Sequence, residues 1–458
     1  MVHGLFASRS KLLLSVGTAD LVALTTGIML AWSSPILEKL SSSGDENPLA
    51  SPITASEKSW IGSLLALGAA LGPFPFAYIQ DKFGRKYALL VVAIPFIIAC
   101  LMSAFATHVS MFIVLRVIAG ISVAGVFTVL PTYIAEVSDS AVRGMLGSSM
   151  NNFLCFGLVI SYCIGPYLPI MWFNIIAAIF PVTFLVLFFM FIPDSPYFLM
   201  GKDRNQAESA LAFLRSKPVS EVQTELKEIE RSVEESKANA ATFMDIFKSK
   251  GTTKALIISV LLCVFQQLSG INIVLFYAQT IFEASGTVME STIPPMIIGA
   301  VQFLSSFVTP ILVDVLGRKV LLLGSAVGMV ISEAALGVYF FLKNDGTDVD
   351  AISFLPILTL VIYIISYNCG FGPLPWTVMA ELFPSNIKSA AASFTVFCCW
   401  FVSFILTYFF DSVSEAIGMG GSFWIFAGFT VVAFIFTLVY VPETKGRSFQ
   451  EIQSILNS

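Results

Sequence analysis

Gln266, Gln267 and Asn272 stand close together in a stretch that is otherwise apolar. Side-chain amides both donate and accept hydrogen bonds. A cluster of them suits a neutral ligand rich in hydroxyls, with aromatic rings nearby to cover its flat faces. Gly270 lies between them and lets a helix unwind, so that the three side chains can converge. One amide in such a place would merely tie helices together; three beside a helix-weakening glycine point to binding. No other chemistry has comparable support. His3 and His108 lie near the start of the chain and at a helix boundary, and the seven cysteines sit in apolar runs without CxxC or Cys/His spacing. No metal and no cofactor is implied. No nucleophile–base constellation and no GxxxxGK[ST] loop occurs, so neither an enzyme nor an ATP-driven pump is expected.

The elements that carry these amides follow from composition. Of 458 residues, 56% are hydrophobic, 12% are charged and 42 are Phe. A soluble chain carries roughly 25% charged residues. So little polar surface excludes a cytosolic enzyme and a disordered chain, and a net charge of −5 leaves no basic footprint for nucleic acid. The reading is an all-α membrane protein, with the lipid bilayer as its surroundings and no nucleic-acid partner; protein partners are not indicated. Twelve runs are long enough to cross a bilayer: 12–32, 59–80, 87–107, 110–132, 146–167, 170–192, 254–282, 294–316, 320–342, 352–379, 390–410 and 421–441. The first is taken as a span and not as a cleaved signal peptide.

Residues 38–58 form a polar loop, and 193–253 are the only long charged segment. In the latter, Leu211/Leu214 and Val222/Leu226/Ile229/Val233 recur at helical spacing, which reads as short amphipathic helices. The expected organisation is a six-helix half over 1–192, a helical linker over 193–253, a second six-helix half over 254–441 and a tail over 442–458. If both termini are cytoplasmic, all but Lys39, Lys58, Lys343 and Arg116 of the 25 Lys and Arg fall on inside segments.

The halves repeat. Asp81-Lys-Phe-Gly84-Arg85-Lys86 follows the second span, and Asp314-Val-Leu-Gly317-Arg318-Lys319 the eighth. Glu136 and Arg143 close the fourth span as Glu381 and Lys388 close the tenth. Pro193-Asp194 follows the sixth as Pro442-Glu443 follows the twelfth. Such parallel repeats mark a two-halved transporter with its site at the midplane. The doubled charges are expected to act as a latch: Asp81, Arg85, Glu136, Arg143, Asp314, Arg318, Glu381, Lys388 and Glu443 would pair across helix ends, fasten the halves on the inside and release them as that side opens.

Seven motifs resemble the sugar porter branch of the major facilitator superfamily over essentially the whole chain: Arg116-x-x-x-Gly120, Pro131-Thr-Tyr133-Ile-Ala-Glu136, Arg143-Gly144, Gln266-Gln267-Leu-Ser-Gly270-Ile-Asn272, Gly372-Pro-Leu-Pro375-Trp376, Glu381-Leu-Phe-Pro384 and Pro442-Glu-Thr-Lys-Gly446. The sequence is most similar to the insect facilitated trehalose transporters, a narrower likeness helped by Ser34-Pro35. The resemblance implies that Gln266, Gln267 and Asn272 contact a sugar. It also implies that Asn151 and Gln302 replace the family's span-five glutamine and span-eight asparagine, and that Trp376, Trp400 and Tyr277 complete the pocket. Cys399 and Ser403 stand where the family has asparagines, and Phe276 where it has a tyrosine, so plain glucose does not follow from the resemblance alone.

Gly120 and Ala124 suit close helix packing, and Gly370, Gly372, Pro373 and Pro375 make the tenth span breakable. Asp20, Arg116 and Glu333 lie within spans, where ionisable groups are functional by default. In proton-coupled relatives the arginine matching Arg116 works with an acid, but Met29 stands there. Asp20 lies nine residues earlier, about 13 Å along a helix, and is expected to be solvated near the inner face. Glu333 has no counterpart. The expected activity is facilitative transport of a neutral sugar, trehalose or a hexose such as glucose, across the plasma membrane by alternating access. The alternatives are a proton–sugar symporter using Asp20 or Glu333 and, less favoured for want of a long tail, a non-transporting sugar sensor.

Overall fold

The computed structural model describes residues 9–44, 47–139, 141–238, 243–286, 289–383, 385–447 and 449–457. His3, Pro384 and the side chain of Asp314 lie outside what is described. The described chain is helical, with no strand. Among the described residues, nine helices are long and apolar enough to cross a membrane. The pair Ala55–Leu71 and Pro73–Phe83, bent by 40°, makes one further span. Ile293–Ser306 is shorter and continues, after a turn, as Thr309–Leu316.

The run Ser385–Tyr440 is two helices. Gly418 has φ 78° and ψ 160°, which no α-helix tolerates. Ser414 and Ser422 place their hydroxyl oxygens 3.1 Å apart, whereas eight residues of straight helix would separate them by about 12 Å. The chain therefore turns back, as two apolar runs separated by a glycine-rich stretch predict.

Small residues set how closely the helices approach. A Cβ added at Gly120 would fall 2.1 Å from the Leu65 carbonyl oxygen, and one at Gly72 would fall 2.6 Å from the Ala124 methyl. The expected packing at Gly120 and Ala124 is thus present, against the second span. Gly27 and Gly157 bring the first and fifth spans together in the same way, within 3.0 Å of a built Cβ.

Between the sixth and seventh spans lie the amphipathic helices Arg204–Arg215 and Gln223–Ala238. Ala207, Leu211, Val222, Leu226 and Ile229 form a small core of their own. Arg215 pins this unit to the membrane domain. It holds Glu225 at 2.6–3.1 Å through three contacts and donates to the Val137 carbonyl at the end of the fourth span at 2.8 Å. This side of the bundle is called the linker end below, and the opposite side the far end.

Candidate functional site

Two helix breaks face each other in the second half of the chain. The seventh span runs as Lys250–Leu268, breaks at Ser269–Gly270 and resumes as Ile271–Phe276. Gly270 takes φ +79°, the left-handed region that favours glycine. The tenth span, Leu355–Cys369, unwinds over 370–373 and resumes as Leu374–Leu382. This is the break its glycines and prolines predict. Unwinding frees backbone carbonyls, and Gln266 takes two of them: its Nε2 donates to Phe371 O and Gly372 O, both at 2.7 Å.

The neighbouring amides are tied in sequence. Asn272 Nδ2 donates to Gln267 Oε1 at 2.6 Å and to Ser403 Oγ at 2.8 Å. Gln267 Nε2 donates to Cys399 Sγ at 3.2 Å. Cys399 and Ser403 therefore hold the amides of the seventh span. All three amides are buried.

The other candidates divide. Trp400 is buried, and its indole N–H has no partner. Its ring lies 6.0 Å from Phe127 of the first half, which also stacks on Trp376 at 6.3 Å. Gln302 is buried with its Oε1 unpartnered. Asn368 reaches it from the tenth span, donating to Ser305 Oγ at 2.6 Å and towards Gln302 O at 3.4 Å. Asn151 is exposed. Its neighbour Asn152 turns inward and accepts from Ser306 of the second half at 2.8 Å.

Asn152 and Asn368 escaped the sequence reading; the only signal was an amide in an apolar run. Tyr277 is not drawn into the amide cluster. It is fully buried, donates to Thr407 O at 3.2 Å and packs 5.3 Å from Phe410 at the far end.

Hydrogen bonds between the halves gather at that far end. Ser33 donates to Phe276 O at 3.2 Å, Gln279 N–H donates to Ser34 at 3.1 Å, and Ser59 donates to Asp411 at 3.1 Å. Tyr162 donates to Leu275 O at 2.8 Å, Lys58 donates to Thr280 at 3.3 Å, and Thr280 donates to Glu38.

The doubled charges expected to form a latch sit at the linker end. Arg85 meets Glu136 through Nε at 3.2 Å and Nη2 at 2.9 Å. Arg318 meets Glu381 at the same two distances. Each pair lies within one half, so these contacts knit helices inside a half and do not fasten one half to the other. The reason is local. Gly84 (φ +108°) and Gly317 (φ +87°) each turn the chain so that the arginine opens a new helix beside the end of its own fourth or tenth span. These helices lack a side-chain cap of their own.

A distant carboxylate supplies the cap. Asp194 accepts from Lys86 N–H at 3.0 Å, and Glu443 accepts from Arg318 N–H and Lys319 N–H, both at 3.0 Å. Burial pushes the Asp194 carboxyl above its usual range. Glu443 is also raised by burial, but its backbone N–H donors prevail and hold it below that range. Asp81 only approaches Arg85, at 4.0 Å. Arg143 donates to Ser138 O at 3.3 Å, and neither it nor Lys388 forms an ion pair among the described residues.

Of the three ionisable residues within spans, Arg116 is fully buried without a carboxylate. It donates to Ile61 O at 3.0 Å and to Met29 O at 2.9 Å, with the Trp32 ring 5.1 Å away. Met29 thus faces Arg116 as expected, but through its backbone. Asp20 is not solvated: it is 0% exposed and accepts from Ser149 at 2.5 Å. The close approach of the first and fifth spans excludes water there. Glu333 is also buried.

The sequence model of the family described as "Sugar (and other) transporter" matches residues 21–456. The chain is 35% identical over 439 residues to the facilitated trehalose transporter Tret1 of Anopheles gambiae, across 95% of this chain and 55% of that protein. It thus spans little more than half of that relative. To the proteins of the same name from Culex quinquefasciatus and Bombyx mori it is 36% and 38% identical, across 95% and 89% of this chain and 84% and 80% of theirs. Among solved structures, an inward open conformation of the xylose transporter XylE from E. coli superposes with a TM-score of 0.79 at 24% identity, covering 97% of this chain and 99% of that one. That likeness shows the fold. Broken helices lined with amides, a repeated charge frame and a family match over almost the whole length agree: this chain belongs to the sugar transporter family, as a multi-pass membrane protein of the major facilitator fold.

Proposed function

We propose that the protein is a facilitative transporter of a neutral sugar, trehalose or a hexose, moving it between two six-helix halves by alternating access. The proposed halves are 1–192 and 254–441, joined by the linker 193–253 and followed by the tail 442–458. The observation that carries this is the convergence of the seventh, eighth, tenth and eleventh spans on one polar region. There Gln266, Gln267 and Asn272 are held in place while Gln302 Oε1 and the Trp400 N–H remain buried and unpartnered. Buried polar atoms of native proteins find partners, and a sugar hydroxyl supplies both a donor and an acceptor.

Substrate contact falls in this reading to Gln266, Gln267, Asn272, Gln302, Trp376 and Trp400, with Asn151 reached from the first half and Tyr277 serving the far-end closure. The charge sets of Arg85 and Arg318 make each half rigid, so that it rocks as a body about the central site. The hydrogen bonds at the far end support a state closed on that side. The distribution of Lys and Arg favours both termini in the cytoplasm, and the relatives' role favours the plasma membrane.

Arg116 gives a reason to prefer uniport over proton symport, because its contacts are carbonyls and rings and, among the described residues, it forms no ion pair with a carboxylate. A panel of labelled sugars offered to proteoliposomes tests the reading. Saturable uptake of trehalose or a hexose is expected, and uptake of no sugar would contradict it.

A further inference from the structure

Glu333 stands in the middle of the helix Arg318–Asn344 and is 3% exposed. Its pocket is lined by Ser269, Ser332, Thr359, Tyr363 and Phe423, among others, and contains no Lys, Arg or His. Tyr363 is the only other titratable group there. An ionised carboxylate without a counter-charge is expensive in such surroundings. The hydrogen bonds make the same point. The Thr430 hydroxyl oxygen lies 3.1 Å from Glu333 Oε2 and 2.9 Å from Phe426 O. A hydroxyl has a single hydrogen. Both contacts are satisfied together when Glu333 carries a proton and donates it to Thr430, and Thr430 donates to the Phe426 carbonyl.

This chain of contacts ends at the break in the seventh span. The Phe426 ring abuts Gly270, where a Cβ would fall 2.8 Å from it. From the other side, the Tyr363 hydroxyl donates to Ser269 O at 2.7 Å. Ser269 and Gly270 are the two residues at which the helix changes direction, and Gln266, Gln267 and Asn272 are mounted on either side of them. We propose that Glu333 is held as a neutral carboxylic acid and, through Thr430, Phe426 and Tyr363, is a positioning residue that fixes the break carrying the amides. As a link to substrate affinity this rests on reading those amides as the sugar site. A neutral acid carries no charge through the cycle, so Glu333 serves geometry and not ion coupling.

The test uses the full chain in proteoliposomes, with labelled trehalose and glucose, and the variants Glu333→Gln, Glu333→Leu and Thr430→Val. Glu333→Gln keeps a neutral donor and acceptor. It should leave the half-saturation concentration within about twofold of the parent and the pH profile unchanged. Glu333→Leu and Thr430→Val should raise half-saturation about tenfold, the loss of one buried hydrogen bond, with a smaller effect on maximal rate. Hydrogen exchange of the backbone over 269–272 provides a readout that needs no sugar: it should quicken in Glu333→Leu and Thr430→Val but not in Glu333→Gln. If the parent takes up no sugar while exchange follows this pattern, the sugar reading falls and the positioning role stands. If Glu333→Leu does not fold, Thr430→Val decides. Parental exchange and affinity in Thr430→Val, or a Glu333→Gln variant as impaired as Glu333→Leu, overturns the proposal.

Discussion

Arg85 and Arg318 meet Glu136 and Glu381 with the same pair of distances, 3.2 and 2.9 Å, although they stand in different halves of the chain. The interiors of the two halves differ in their buried cation. The first buries Arg116, held by carbonyl oxygens and rings, as well as an acid, Asp20, beside the Ser149 hydroxyl. The second buries an acid, Glu333, beside a hydroxyl. The first half turns Asn152 inward, whereas the second gathers Gln266, Gln267, Asn272, Gln302 and Asn368. The charge frame is alike in both halves, while most of the amides proposed for recognition lie in one. In the proposed cycle, a sugar held mainly by the second half stays attached to it while the first half rocks past.

The largest expected effect breaks this asymmetry of binding. Gln266→Ala should weaken sugar affinity by about 1–3 kcal/mol, roughly five- to 150-fold, because its partners Phe371 O and Gly372 O lose their donor and the proposed site loses an amide. Asn151→Ala, on the exposed counterpart, should change affinity less than about threefold. Equilibrium binding to purified protein measures both. Equal losses would show that the halves share recognition.

The next effect tests the symmetry of the frame. Arg85→Ala and Arg318→Ala each remove a forked contact of similar burial, with side chains 17% and 15% exposed. Each should destabilise the detergent-solubilised protein by about 1–3 kcal/mol, and by like amounts in thermal unfolding. A large effect in only one would mean that only one of the repeated frames bears on stability.

The smallest effect separates the two caps. Asp194 and Glu443 both close helix N-termini, and their neutral variants should change stability by about 0.5–2 kcal/mol. Their pH dependences should run in opposite directions. The Glu443 carboxyl is held low, so its contribution is present above the ordinary carboxylate range and fades as pH falls through its lowered value. Glu443→Gln should therefore lose ground to the parent as pH rises. The Asp194 carboxyl is pushed up, so its contribution is present at low pH and fades as pH rises. Asp194→Asn should gain on the parent over the same change. Melting temperatures across acid to neutral pH measure both.

The apolar runs made the helices legible, and the amide triplet beside Gly270 made the core of the candidate site legible, because both are patterns among near neighbours. What was hidden depends on distant residues. Asp194 and Glu443 cap helices that begin more than a hundred positions earlier, so the charges could be read but not their partners, and a latch between halves was expected where each half is tied to itself. Asn152 meets Ser306 across the halves as a lone amide without periodicity. Asp20 read as solvated because the approach of Gly27 to Gly157 is a property of two packed helices and not of either alone.

In the proposed cycle a neutral sugar crosses without an ion: Arg116 faces carbonyls, and Glu333, proposed to be a neutral acid beside Thr430, carries no charge. The most direct test is the final ratio of labelled sugar inside and outside proteoliposomes under an imposed inward proton gradient. Uptake should stop when the two concentrations are equal, at every pH difference and membrane voltage applied. Accumulation above equality that disappears in Asp20→Asn or Glu333→Gln would contradict it and would identify the coupling acid.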